Sequence, residues 1–199
     1  MGRVTCGVSV SLDNFVAGDN MTFEKPFGDM PEDHVHHWMF DEPEKHQAET
    51  AALVSAGAYI MGSNMFGPKD RRHDPDWKGW WGDEPPYHGP VFVLSHTARE
   101  PIPMQGGTTF HFVTEGIDRA MELAKAAAGD KDVAISGGAS TINQFLAAGM
   151  IDELWLHIAP VFQGKGQRLF VEMPASLKLT PLEVRTTDLV THIKYKVEQ

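Results

Sequence analysis

The sequence predicts an α/β fold, a single domain over residues 1–199 with a mostly parallel central sheet and an antiparallel C-terminal edge. Three observations carry this prediction. Short apolar strands alternate with amphipathic helical stretches, the pattern of right-handed βαβ units. Residues 154–161 form a nearly continuous apolar run, as expected of a strand buried on both faces. The tail instead alternates polar and apolar residues over about 178–186 and 189–197, the pattern of an antiparallel edge.

The first element is a strand over 3–11, in which Val4, Cys6, Val8 and Val10 alternate with small or polar residues. Turn residues at Asp13-Asn14 and Gly18-Asp19-Asn20 end it, and a loop rich in Gly, Pro and Phe covers 21–31. A helical pattern follows over 32–56 with a break at Pro43, and its second piece, 44–55, stops at Gly57. Residues 58–61 form a short buried strand closed by Gly62. Residues 67–90 hold five prolines with Trp77, Trp80, Trp81 and Tyr87; a loop of that length is functional or disordered, and its aromatic content argues for order. Strands at 91–94 and 109–113 flank a turn around Pro101, Pro103, Gly106 and Gly107. Residues 117–128 read as an amphipathic helix with Ile117, Met121, Ala124 and Ala128 on one face. A strand at 133–136 runs into Gly137 and Gly138, and a helix over 139–148 turns Ile142, Phe145 and Leu146 inward.

Composition narrows the function. With 17 basic and 27 acidic residues the formal charge is -10, which argues against nucleic-acid or anionic-membrane partners, since both need clustered cations. Cys6 is the single cysteine, so no internal disulfide forms, and its place in an apolar alternation predicts a buried, inert thiol. No apolar run approaches the ~20 residues of a membrane span. No basic segment followed by an apolar core opens the chain, and the expected location is cytoplasmic.

Chemistry concentrates where strands end. At Ser136-Gly137-Gly138-Ala139-Ser140-Thr141 a buried strand meets two glycines and a helix begins at once. Glycines admit close approach of backbone amides to a phosphate, and the helix N-terminus adds free N–H groups and a positive dipole end. The same residues also suit a tight turn with Ser140 or Thr141 as cap. Gly62-Ser63-Asn64 and Ser95-His96-Thr97, with Arg99 nearby, are two further strand ends, and ligands of open α/β sheets bind at that edge. His34, His36 and His37 are read as packing or solvated residues, and residues 164–168 as a mobile turn, so no metal ligands are assigned. A nucleophile elbow is absent from the sequence. The aromatics of 67–90 either stack on a planar ligand or pin the loop to the body or to a second subunit.

Several motifs then coincide in order. Residues 11–18, Ser-Leu-Asp-Asn-Phe-Val-Ala-Gly, resemble the SLDGFIAG segment of the dihydrofolate reductase-like family, which includes the reductase domain of riboflavin biosynthesis. Ile60-Met61-Gly62 resembles its G-R-x-T site, residues 91–96 its VFVLTH strand, and Ile135-Ser136-Gly137-Gly138 its cofactor turn. Asp152, Glu153, Leu154, Pro160, Gly164, Leu169 and Phe170 resemble its last block. The segment 81–86 before the VFVL strand is similar to stand-alone bacterial members. The resemblance implies a dihydrofolate reductase-like three-layer fold and NADPH as hydride donor. It places Val16 and Ala17 by the nicotinamide, and Gly62, Ser63, Asn64, Gly137, Gly138 and Ala139 by the phosphates. Ser95, His96 and Thr97 would face the adenosine 2′-phosphate. Ser63 and Met65 stand where the family has Arg and Thr, which leaves NADH as the alternative cofactor, and Asn14 replaces a glycine.

The expected activity is hydride transfer from NAD(P)H to a small heteroaromatic, pterin- or pyrimidinone-like, or carbonyl substrate. Trp38, Trp81 and Phe162 are the expected substrate-facing residues, and Asp13 or a bound water the proton source. The competing expectation is a non-catalytic nucleotide-binding module on the same fold. Related stand-alone members pair, so a homodimer is expected.

Overall fold

The computed structural model describes residues 2–31, 34–71 and 74–198. Its main sheet contains β1 (Val4–Ser11), β3 (Ala58–Gly62), β4 (Pro90–Leu94), β5 (Ile102–Pro103), β6 (Thr109–Val113), β7 (Val133–Gly137), β8 (Glu153–Ala159), β10 (Lys178–Thr186) and β11 (Thr191–Glu198). The spatial order is β10-β11-β8-β1-β7-β3-β4-β6-β5. From β8 across to β6 every neighbour pair is parallel, while β11 and β10 at one edge and β5 at the other run antiparallel. A separate two-stranded ribbon pairs β2 (Phe15–Ala17) with β9 (Gln167–Arg168).

Both faces of this sheet are covered. On one, α4 (Ile117–Ala128) and α5 (Ala139–Ala147) bury Ala120, Met121, Ala124, Ile142, Phe145 and Leu146 against Cys6, Ile60, Phe92, Ile135, Leu154 and Leu156. Burial pushes the Cys6 thiol up to about 12, so it stays protonated and inert. On the other face lie α1 (His37–Phe40), α2 (Gln47–Leu53), α3 (Ser63–Phe66) and the long 67–90 loop. There Tyr59, Met61, Phe66, Tyr87, Val91, Val93 and Phe110 form a second apolar cluster, with Trp77 and Trp81 against it. Period-two alternation along β3 and β4 thus feeds two cores, one per face, which is why these strands read as unbroken apolar runs.

Near β1, β8 and β11 the second face is polar inside. Ser9 pairs in register with His157, and His157 with His192. His46, from a 3-10 turn over Pro43–His46, closes on these rings. Trp38 of α1 sits among them, with centroid distances of 5.2, 4.8 and 4.9 Å to His46, His157 and His192. Its indole N–H donates to Ser9 Oγ at 3.1 Å. Arg185, which has only donors, lies 2.9 Å from His46 Nδ1, so that nitrogen accepts. His192 Nε2–H donates to the same nitrogen at 2.9 Å, and His192 Nδ1 then accepts from His157 Nδ1–H at 2.7 Å. Burial lowers the pKa of all three rings. For His157 it falls to about 3, with the other imidazoles adding to the effect of burial.

The observed elements depart from the sequence expectation in identifiable places. The helical pattern over 32–56 resolves into α1, the 3-10 turn and α2, because Pro43 enters the first turn of the 3-10 segment and α2 stops at Leu53. Glu32 and Asp33 lie outside the described residues. The short β2, β5 and β9 carry no periodicity long enough to read and were not expected. Among the described residues no helix is long and apolar enough to cross a membrane.

Two measurements probe the buried imidazoles. Each takes up a proton near pH ~6.5 in the unfolded chain but at lower pH in the fold. The unfolded state therefore binds more protons as the pH drops below about 6.5, and stability is lost in that direction. Urea unfolding should show stability declining from about pH 6.5 toward about pH 4, with His157→Gln flattening the slope by roughly a third; an unchanged slope contradicts the assignment. Trp38→Ala should cost about 3–5 kcal/mol by leaving a cavity among the rings, read as a lowered urea midpoint at pH 7.

Candidate functional site

Parallel strands send all their carboxyl ends to one edge, and the turns that leave this edge form the candidate site. At the end of β7, Gly137 has φ +123 and a cis peptide bond joins it to Gly138. A Cβ on Gly138 would meet nothing within 4 Å, so this backbone faces open space. The first turn of α5 follows directly, and no side chain caps it. Opposite stands β9. Between them runs a groove of about 510 Å³, lined by Ala139, Ser140, Asn143 and Gln144 on the helix and by Gly166, Gln167, Arg168 and Val171 across from it. Arg168 lies with its guanidinium 4.6 Å above the Phe15 ring. Free helix N–H groups, a positive dipole end and a guanidinium in one groove suit a diphosphate.

The ribbon that carries Arg168 is tied to β1 by two side chains. Asp13 accepts hydrogen bonds from Ser11 Oγ at 2.6 Å, Gln163 N–H at 3.0 Å and Gly164 N–H at 2.7 Å. Partial burial pushes its carboxyl up, but the hydrogen bonds outweigh that and hold it down at about 2. Asn14 has φ +75, a left-handed conformation that explains why Gly or Asn stands there. Its amide also brackets Phe170, accepting from Phe170 N–H and donating to Phe170 O, each at 3.2 Å. Gly166 closes the ribbon: any Cβ there would overlap the Ala17 carbonyl.

The other strand ends flank this groove. Gly62 caps α3 and crosses α5 so closely that a Cβ would overlap Thr141 Oγ1. Thr141 is accordingly buried in helix packing, whereas Ser140 is exposed at the groove. Ser63 is half-buried and Asn64 exposed on α3, and Ser136 is half-buried within β7. Met65 leans over the glycine pair, its sulfur 3.3 Å from where a Gly137 Cβ would be. Val16 and Ala17 are half-buried on β2. At the end of β4, Ser95 Oγ accepts from Thr97 N–H at 3.1 Å and donates to Thr97 O at 2.9 Å, closing a small turn that leaves His96 and Thr97 exposed. Arg99 points away from this turn: it donates to the carbonyls of Pro75 and Trp77 at 2.8 and 2.7 Å and lies over Phe112 at 5.3 Å.

The three expected substrate-facing residues are not brought together. Trp38 is wholly buried among the histidines and offers no face to a ligand. Trp81 packs on Tyr87 and Phe110 at 5.2 and 5.8 Å, as part of the second core. Phe162 is 72% exposed, with its carbonyl accepting from His34 Nε2. Of the 67–90 aromatics, Trp77 and Trp80 instead reach Phe23, at 5.8 and 6.4 Å, in the loop after β2. Sequence reasoning set aside Arg168 as part of a mobile turn; its partners Phe15 and α5 lie far away in sequence. It also missed a donor set: His46 Nδ1, His192 Nε2 and Glu49 Oε1 lie within 4.8 Å of one another, close enough to hold a metal ion. Arg185 already stands there as the cation, 2.7 Å from Glu49 Oε1 and 2.9 Å from His46 Nδ1, so the set does not fit a metal without displacing it.

Comparison with known proteins bears on this geometry. Residues 3–193 match the RibD C-terminal domain family. The uncharacterized protein YyaP of Bacillus subtilis strain 168 is 26% identical over 190 residues, covering 92% of this chain and 88% of that protein. The crystal structure of a Shewanella sp. PV-4 protein assigned to riboflavin biosynthesis superposes with a TM-score of 0.70 at 25% identity, covering 99% of each chain. Dihydrofolate reductase of Enterococcus faecalis, complexed with NADP(H), superposes with a TM-score of 0.57 at 13% identity over 100% of this chain and 98% of that one, a likeness of fold. A sheet order and strand-end groove of this kind, together with a match over nearly the whole length, place the chain in the RibD C-terminal domain family, on a dihydrofolate reductase-like fold.

Proposed function

We propose that the protein is an oxidoreductase that moves hydride from NAD(P)H to a small heteroaromatic or carbonyl substrate. The observation that carries this reading is the groove between the α5 N-terminus and Arg168, beside Gly138, whose backbone faces open space. Its donor set fits a dinucleotide diphosphate, and the fold is that of a reductase complexed with NADP(H). When bound, the nicotinamide supplies the hydride. The chain's own residues bind and orient. The amides of Gly138 and Ala139 with Arg168 would hold the diphosphate, and Met65 backs Gly137. Val16 and Ala17 of the ribbon would line the nicotinamide.

On this reading Asp13 is a positioning residue. A carboxyl at about 2 holds no proton to give near neutrality; Ser11 Oγ orients it, and the two hydrogen bonds it accepts from Gln163 and Gly164 N–H keep the 163–170 loop in place. A water then supplies the proton. The Phe23–Trp77–Trp80 group links the loop after β2 to the 67–90 loop, and forms a wall suited to a planar substrate.

Gly138→Val tests the groove. Its Cβ enters free space at φ -76, so the variant should fold, yet NADPH affinity in a fluorescence titration should drop at least about tenfold because the diphosphate loses close backbone approach. Unchanged affinity in a folded variant refutes the site. Asp13→Asn separates positioning from acid catalysis. A positioning role predicts that turnover falls by roughly tenfold with the pH–rate profile unaltered in shape, whereas loss of a general acid removes ~10²–10⁴ and one limb of the profile.

A further inference from the structure

The 67–90 loop is held in two halves by different means. Its second half is stapled to the turn between β5 and β6. Gln105 N–H donates to Asp83 O at 3.0 Å, Thr108 Oγ1 to Pro85 O at 3.1 Å, and His88 N–H to Thr108 Oγ1 at 3.0 Å. Gly79 and Gly82, at φ +98 and +67, separate the halves. In the first half the N–H groups of Asp74, Asp76 and Trp77 all bond within the loop. Among the described residues, the hydrogen bonds from residues 74–80 to the body rest on two side chains. Trp77 Nε1–H donates to Phe66 O at 3.1 Å. Arg99, half-buried in the connection between β4 and β5, donates from Nη2 to Pro75 O at 2.8 Å and to Trp77 O at 2.7 Å. Its guanidinium also lies over the Phe66 and Phe112 rings, at 5.9 and 5.3 Å, on the second apolar cluster. One side chain thus joins the loop to α3 and β6. The half it holds carries Trp77 and Trp80, whose rings meet at 5.0 Å and reach Phe23 at 5.8 and 6.4 Å.

We infer that Arg99 is a positioning residue for the substrate wall: its guanidinium clamps residues 75–77 against α3 and β6, and so sets where Trp77 and Trp80 stand relative to Phe23. The inference rests on the reading above, in which these rings face a planar substrate. Hydrogen bonds from a charged donor are the stronger kind, and here two of them fix carbonyls two residues apart. The guanidinium plane stacks on rings while its donors point outward, which a lysine ammonium cannot reproduce. The role therefore needs the shape of the side chain as well as its charge. That separates it from an electrostatic role toward an anionic cofactor, which a lysine would fill.

The test compares wild type, Arg99→Ala and Arg99→Lys as the full chain, with thermal melts to verify folding. Amide hydrogen exchange, read peptide by peptide, should speed up over residues 74–80 by about tenfold or more in both variants, while 83–90 keeps its wild-type rate. NADPH affinity should stay unchanged. Affinity for pterin, used as the planar probe and measured by calorimetry with NADPH present, should fall by about tenfold or more in both variants, because the wall is no longer preorganised. Unchanged exchange over 74–80, restoration of wild-type behaviour by lysine, or faster exchange with unaltered pterin affinity each overturns the inference. A fall in NADPH affinity without faster exchange also overturns it and assigns Arg99 to the cofactor. If wild type binds NADPH but not pterin, the wall reading falls and the inference falls with it.

Discussion

Six adjacent parallel strands, buried on both faces, constrain everything else in this molecule. A parallel pair cannot be closed by a hairpin, so each connection has to cross a face of the sheet and return to the same end. The crossings bury α4 and α5 on one side and α3 with the 67–90 loop on the other. They also bring Ser11, Gly62, Leu94, Val113, Gly137 and Ala159 to a single edge. Binding groups gather there because backbone N–H groups at strand ends and helix starts have no partners within the elements themselves.

That edge is shaped by a small number of polar contacts. Asp13 and Asn14 follow β1 directly, yet their partners lie about 150 residues onward, at Gln163, Gly164 and Phe170. These bonds lay β9 along β2 and so stand Arg168 opposite the α5 N-terminus. The groove is thus not a property of the glycine turn alone. Without the β2–β9 ribbon, the turn would face solvent with no opposing cation.

The opposite flank shows how the same face can be closed. Trp38 and three neutral imidazoles fill the space over β1, β8 and β11, and Arg185 and Glu49 seal it from outside. Hydrogen bonds running ring to ring satisfy His157 Nδ1–H and His192 Nε2–H, while His46 Nε2 and His157 Nε2 stay buried without a hydrogen-bond partner. The cost is sensitivity to acid, since a proton on any ring adds charge where water is excluded.

Local pattern was enough to read the alternating strands, the amphipathic α4 and the Gly137-Gly138 turn before α5, because each depends on residues within a few positions of one another. The motif order from Ser11 to Phe170 carried the family, since it samples turns that every such sheet needs at its carboxyl edge. What tertiary structure alone decided is which side chains meet. Trp38 went to the histidine seam and Trp81 to the second core, while Arg99 turned to the 67–90 carbonyls and Arg168 faced α5. Each of these outcomes is set by a partner distant in the chain, such as Ser9 for Trp38 or Phe15 for Arg168. Periodicity records which face of an element is apolar; it holds no information about what the fold brings opposite that face, because long-range contacts arise only when the strands pair.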